Sequence, residues 1–246
     1  MEIDVFNSND FSNNNLLNVK IKNKSKILKK GRIKNKEHPN CSLIKEVLPY
    51  VPLCPDSLVE QNLRAATIEF CERSKAYILD MDPFNTIAGV YEYDFDIPTG
   101  TEVHQILYMV YDGQDMDPIS PRSLELNYPD WRDKTGNPYV YLQKTPSTFW
   151  VIPVPSGSKE IVASVALKPT RTSNNIDTTF SNSYRDGIIY GTLYRLLRMP
   201  SREWSDVGAA REYLAQFNQE IQQAELRARG GDLGVNRKVK YRAFNT

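Results

Sequence analysis

The sequence predicts an α+β fold: a helical domain of three main helices, an inserted antiparallel β module, and an extended C-terminal tail. Three observations predict it. Apolar residues recur at helical spacing over about 57–82, 179–198 and 205–229. Between the first two helices, about 87–169, the period changes to the two-residue alternation of strands. After Gly230-Gly231 the chain is too short and too basic to fold alone.

Residues 1–46 read as a disordered basic arm. Asn13-Asn14-Asn15 and the run Lys20–Lys26 are low in complexity, and the latter is highly charged. Such a stretch cannot bury enough apolar surface to offset its ordering entropy. Polar and apolar residues do alternate around Val19–Lys26, which leaves a surface strand open. Ordered sequence is expected from about Ser42–Leu48, and the body of the domain over 47–231. Prolines 49, 52 and 55 then make a rigid, extended lead-in.

Ser57-Leu58-Val59-Glu60 has the form of a capping box, with Ser at the N-cap and Glu three residues on. Val59, Leu63, Ala66, Phe70 and Tyr77 fall near one face of the helix that follows, and Asp82-Pro83 is its expected stop. In the β module, strands are expected at Val90–Phe95, Glu102–Tyr111, Pro138–Leu142, Thr148–Val154 and Glu160–Leu167. Asp112-Gly113 is a hairpin signal and Ser156-Gly157-Ser158 a turn. Pro153 and Pro155 place their strand at an edge, because proline cannot donate to a ladder.

The second helix, Thr179–Arg198, sets Phe180, Tyr184, Ile188 and Gly191 on one stripe. Gly187 and Gly191 lie one turn apart and admit a close neighbour. In the third helix, Val207, Ala210, Leu214, Phe217, Ile221, Ala224 and Ala228 follow a 3-4-3-4 spacing. That narrow stripe suits packing on another helix, within the subunit or between subunits, with Val207, Leu214, Phe217 and Ile221 as its larger members. The tail, 232–246, sets Leu233, Val235, Tyr241 and Phe244 among Arg237, Lys238, Lys240 and Arg242.

Composition narrows the function classes. No apolar run approaches the ~20 residues a membrane-spanning helix needs. The first residues lack the basic and apolar regions of a signal peptide. Three cysteines, an odd number, argue against a disulfide framework and for the reducing cytoplasm in which the chain is made. The net charge of +1 hides an acidic body of net −9 over 47–226, between two basic ends. Such ends suit polyanionic or acidic partners.

Catalytic patterns are missing. Only His38 and His104 occur, and no nucleophile elbow, phosphate-binding loop or HExxH pattern is present. His38, Cys41, Cys54 and Cys71 lack the CxxC spacing of a zinc site. The aspartates 80, 82, 94, 96, 112, 115 and 117 read as turn formers rather than an acid/base pair or calcium loop. Tyr91, Tyr93, Tyr139, Tyr141, Phe149 and Trp150 could form a stacking platform, or a sheet face covered by a helix or a neighbour. No cofactor, metal or enzymatic activity is expected.

Four groups of residues carry a resemblance. They are Val51-Pro52-Leu53-Cys54-Pro55-Asp56 with Val59, Leu63-Arg64-Ala65-Ala66 and Glu69–Ser74; Gly89–Asp94 with Ile97-Pro98; Ile152-Pro153-Val154-Pro155 with Val165–Pro169; and Gly191–Leu196 with Pro200, Trp204-Ser205-Asp206, Ala210, Tyr213, Phe217, Ile221 and Ala224. In this order, residues about 47–244 resemble the head-to-tail adaptor (connector or neck) proteins of tailed phages, particularly short-tailed ones. The resemblance implies a structural virion protein of the neck, assembled as a dodecameric ring between the portal protein and the tail nozzle or tube. The ring would extend the DNA channel, pass genomic DNA without sequence specificity and help retain it. The C-terminal extension would dock on the portal. On that basis Leu233, Val235, Tyr241 and Phe244 are expected to insert between portal subunits, with Arg237, Lys238, Lys240 and Arg242 pairing with acidic portal residues or with DNA phosphate. The alternative function is a carbohydrate- or receptor-binding virion protein, which predicts a solvent-exposed aromatic sheet face.

Overall fold

A computed structural model describes residues 39–173 and 177–230 of the chain. Helix α1 (Pro39–Val47) reaches back into the segment expected to be a disordered arm. Leu43 and Val47 lie one turn apart on it, and both are buried in the helical core. A 3-10 turn, Leu48–Tyr50, leads to α2 (Asp56–Ser74).

The expected Ser57–Glu60 capping box does not form. Pro55 occupies the N-cap position, and Asp56 lies within the first turn, where a carboxylate is favoured by the helix dipole. Glu60 instead pairs with Arg64 one turn on, at 3.2 Å. Val59, Leu63, Ala66 and Phe70 are buried as their spacing implies. The helix ends at Ser74, short of Asp82-Pro83. The Ser74 hydroxyl donates to Phe70 O at 2.7 Å and accepts from the Ala76 amide at 3.2 Å. Lys75 then turns left-handed, at φ 54°. Tyr77 therefore lies beyond the helix, its ring 4.9 Å from that of Phe180.

The β module begins earlier than expected, with β1 (Ile78–Asp80), β2 (Phe84–Asn85) and β3 (Glu92–Asp94). Next come β4 (Thr101–Tyr111), β5 (Gln114–Asp115), β6 (Asp117–Pro118) and a short helix α3 (Pro121–Asn127). β7 (Thr135–Gly136), β8 (Val140–Gln143), β9 (Thr148–Ile152), β10 (Val154–Pro155) and β11 (Glu160–Pro169) complete it. One sheet has the order β1-β11-β4-β5, with β2 also on β11; a second has the order β3-β9-β8-β6. Pairing is antiparallel except for β10 with β7 and β6 with β8.

Asp112 and Gly113 have φ of 52° and 77° between Tyr111 and its partner Gln114, as a two-residue hairpin loop requires. The strand carrying Thr148–Ile152 is not at an edge. It lies between β3 and β8, and its ladder closes at Ile152, one residue before Pro153. The prolines end the strand and so never interrupt its hydrogen bonds.

Alternation along β8 and β9 divides the module into two cores. Tyr141, Phe149 and Val151 join Val103, Ile106 and Met109 of β4 and Ile161, Ala163 and Val165 of β11. Val140, Leu142 and Ile152 point the other way, against Leu124 of α3 and Trp131. This sheet is thus covered on both faces.

The expected helix over 179–198 is two helices, α4 (Thr178–Ser183) and α5 (Arg185–Leu197), joined at Tyr184 with φ −121°. Ser181 and Ser183 hydroxyls donate to the Thr178 and Thr179 carbonyls, a local competition that weakens helical continuity. The last helix, α6 (Val207–Gly230), is capped by Asp206, whose carboxylate accepts from the Ala209 amide at 3.0 Å. α2, α5 and α6, the three longest, share one core with α1. The class is α+β, with six α-helices among the described residues. No described helix is long and apolar enough to cross a membrane. The tail over 232–246 lies outside the described residues.

Candidate functional site: interaction surfaces of an adaptor

The stripe on α6 separates into an internal and an external part. Phe217 and Ile221 are buried within the chain's own helical core, together with Ala210 and Ala224. Gly187 and Gly191 do admit close neighbours, and these are aromatic rings rather than backbone. A Cβ on Gly187 would stand 2.6 Å from the Phe70 ring, and one on Gly191 2.6 Å from the Phe217 ring. Leu214 is half-buried. Val207, in the first turn, is 56% exposed. The tail residues Leu233, Val235, Arg237, Lys238, Lys240, Tyr241, Arg242 and Phe244 lie outside the described residues.

Around the internal part, ion pairs tie the helices together. Glu69 accepts from Arg73 at 3.1 Å and Arg195 at 2.5 Å, joining α2 to α5. Arg73 also donates to Asn218 of α6 at 2.7 Å. Arg185 pairs with Glu46 and reaches Ser42, fixing α1. Lys168 of β11 pairs with Glu72 of α2 at 2.6 Å and Glu102 of β4 at 3.4 Å, which joins the helices to the β module.

Of the aspartates expected as turn formers, Asp112 lies in a turn, where it pairs with Lys159, next to the start of β11, at 2.6 Å, whereas Asp80, Asp94, Asp115 and Asp117 are strand residues. Among the described residues no group of three or more His, Cys, Asp or Glu is placed to hold a metal ion. Cys71 is buried in α2 and Cys54 just before it; His38 and Cys41 fall outside the side chains described. His104 sits half-buried near Glu72, Lys75 and Lys168, and burial first, then the Lys168 charge, lowers its pKa.

The aromatic residues of the module mostly pack on one another. Phe149 is buried, with Tyr93 stacked at 5.9 Å and Phe95 at 4.8 Å. Trp150 meets Trp131 at 5.3 Å and Tyr91 at 5.5 Å. Tyr141 is buried, and of the six proposed platform residues only Tyr139 is exposed. An open stacking face is therefore not present among them.

Two apolar surfaces were not foreseen. At one end of the helical core, Tyr50 lies 6.3 Å from Tyr213, which stacks at 5.9 Å on Tyr190. Leu53, in the same loop, is 79% exposed and held at φ 67°. The second is a cleft beside β4, lined by Ile106, Met109, Met116 and Tyr141. No sequence signal marks the cleft, because its position depends on which strand edges the sheets leave unpaired.

The SU10 adaptor protein family model matches residues 42–238, most of the chain. The chain belongs to the SU10 adaptor protein family. No curated protein matches the sequence. The family is one of phage structural adaptors and not a known enzyme family, so this adaptor is a virion component that meets other capsid or tail components. The match runs from Ser42, in α1, to Lys238. It therefore takes in both the helical core and the β module, along with the first residues of the tail.

Proposed function

We propose that this adaptor forms a ring between the portal protein and the tail nozzle or tube, extends the DNA channel and helps retain packaged DNA. The observation that carries the reading is the family match across both parts of the fold. The body, 47–231 with its β insertion, would form the ring. Residues 232–246 would dock on the portal, with Leu233, Val235, Tyr241 and Phe244 as apolar anchors and Arg237, Lys238, Lys240 and Arg242 as partners of acidic groups. Aromatic and arginine side chains are favoured anchors at interfaces. The acidic body suits a wall along which DNA slides without sticking. With Phe217 and Ile221 used inside the chain, Val207 and Leu226 of α6 and the Tyr50–Leu53 loop are among the exposed apolar groups available for contacts between copies.

The test is co-sedimentation with the portal ring, imaged by negative-stain electron microscopy, with and without residues 232–246. Added ring density that is lost on truncation is the expected result. Unchanged binding of the truncated chain would remove the docking role of the tail, and no density with either chain would remove the adaptor placement.

A further inference from the structure

We propose that the cleft beside β4 accepts the chain's own C-terminal segment, Lys238–Phe244, as an added β-strand in the free subunit. This goes beyond the adaptor reading, which needs only that the tail reach the portal.

The cleft exists because the chain changes sheets. β5 stays with β4 only at Val110–Asp115 and Tyr111–Gln114. The Met116 amide makes a last bond to Met109 O, and from Asp117 the chain pairs with β8 instead. At the other end Val103 bonds the Pro146 carbonyl through its amide and accepts from Gln143 Nε2 through its own carbonyl. Between these ties, Gln105–Tyr108 have a strand partner on one side alone, β11. The gap is a cleft of about 490 Å3. Its floor is Ile106, Met109, Met116 and Tyr141, all buried side chains, and its rim carries the exposed Tyr108 and Asp115. Asp117, between the lining residues Met116 and Pro118, is exposed, and no Lys or Arg lines the cleft.

A strand laid into such a slot bonds through its backbone and sends alternate side chains to floor and solvent. The tail has that period. Val239, Tyr241 and Ala243 alternate with Lys238, Lys240 and Arg242. With the first set on the floor, the cations face Asp115, Asp117 and the ring of Tyr108. α6 runs beside α2, with Phe70 on Phe217 and Arg73 bonded to Asn218. α2 ends at Ser74, but α6 continues from Asn218 to Gly230, which carries the start of the tail about 18 Å beyond the Arg73 contact. Residues 231–237 extend the reach by up to about 23 Å.

The same edge has features that blunt strand pairing. Register shifts leave His104 and Leu107 as extra residues on β4, and across the cleft Pro118 of β6 offers no amide. The experiment separates an accepting edge from a blunted one. Amide hydrogen exchange is followed in the full chain and in a chain lacking 232–246, with the amides of β11 as the control for folding. The expected result is protection of Gln105–Tyr108 in the full chain, falling about tenfold or more on truncation. A peptide of residues 236–246 should restore it, and a peptide of the same composition with its cations consecutive should not. Asp115→Lys with Asp117→Lys should weaken protection in the full chain. Equal exchange with and without the tail would overturn the proposal and leave a blunted edge. Protection that falls on dilution would overturn it in favour of a strand from a second copy. Portal co-sedimentation reads the adaptor role independently: a chain that joins the portal but shows no tail-dependent protection fails this proposal alone.

Discussion

Gly191 of α5 lies directly under the ring of Phe217 on α6: a Cβ at 191 would stand 2.6 Å from Cε2 and 2.9 Å from Cδ2. This contact sets how closely α5 and α6 approach. Alanine is normally better than glycine in a helix by about 1 kcal/mol. Here the methyl group must displace a fully buried ring, and overpacking costs about 1–3 kcal/mol. Gly191→Ala is expected to lower the urea midpoint, with Gly187→Ala behaving alike against Phe70. A raised midpoint in both variants would show that the rings move freely.

Phe217→Ala empties the same site from the other side. The ring is buried among Phe70, Gly191 and the rest of the helical core. Loss of about 3–5 kcal/mol in equilibrium unfolding is expected. A much smaller loss would mean that the inner stripe of α6 is an assembly surface, open in the monomer.

The pH dependence of stability should carry a signature of His104. Burial, then the charge of Lys168, holds its pKa below the usual 6.5; Lys75 acts in the same direction and Glu72 opposes. The unfolded chain therefore takes up the proton first as pH falls. The contribution is fully present above about 6.5 and is lost as pH drops toward the folded value. Wild type is expected to lose stability more steeply than His104→Gln on going from pH 7 to 5.5. Parallel curves would show that His104 is equally protonated in both states.

Cys71 is expected to be inert in the native protein. Burial, followed by the charge of Glu72, pushes its thiol pKa well up, so neutral pH supplies almost no thiolate. Alkylation followed by peptide mass should label Cys71 at the rate of unfolding, and at once in denaturant. Rapid native labelling would contradict its burial.

Periodicity in the chain was informative wherever one element met one apolar environment. The buried face of α2, the inner stripe of α6, the hairpin at Asp112-Gly113 and the long strands β4 and β11 were all legible in that way. It failed where a local bond overrode the pattern. Ser74 stops α2 three residues before Tyr77, which still matched the helical phase. Strands of two or three residues, such as β1 and β2, carry too few positions for a period.

The α+β class, the order of helix and strand regions, and the lack of a recognisable catalytic pattern were determined by the sequence itself, because spacing and residue chemistry are local properties. Tertiary structure alone decided that Phe217 packs inside the chain while Val207 stays outside, and that β9 is central rather than at an edge. It also decided that β4 keeps an open edge beside an apolar cleft. Those outcomes depend on which elements become neighbours, and residues far apart in the chain settle that jointly.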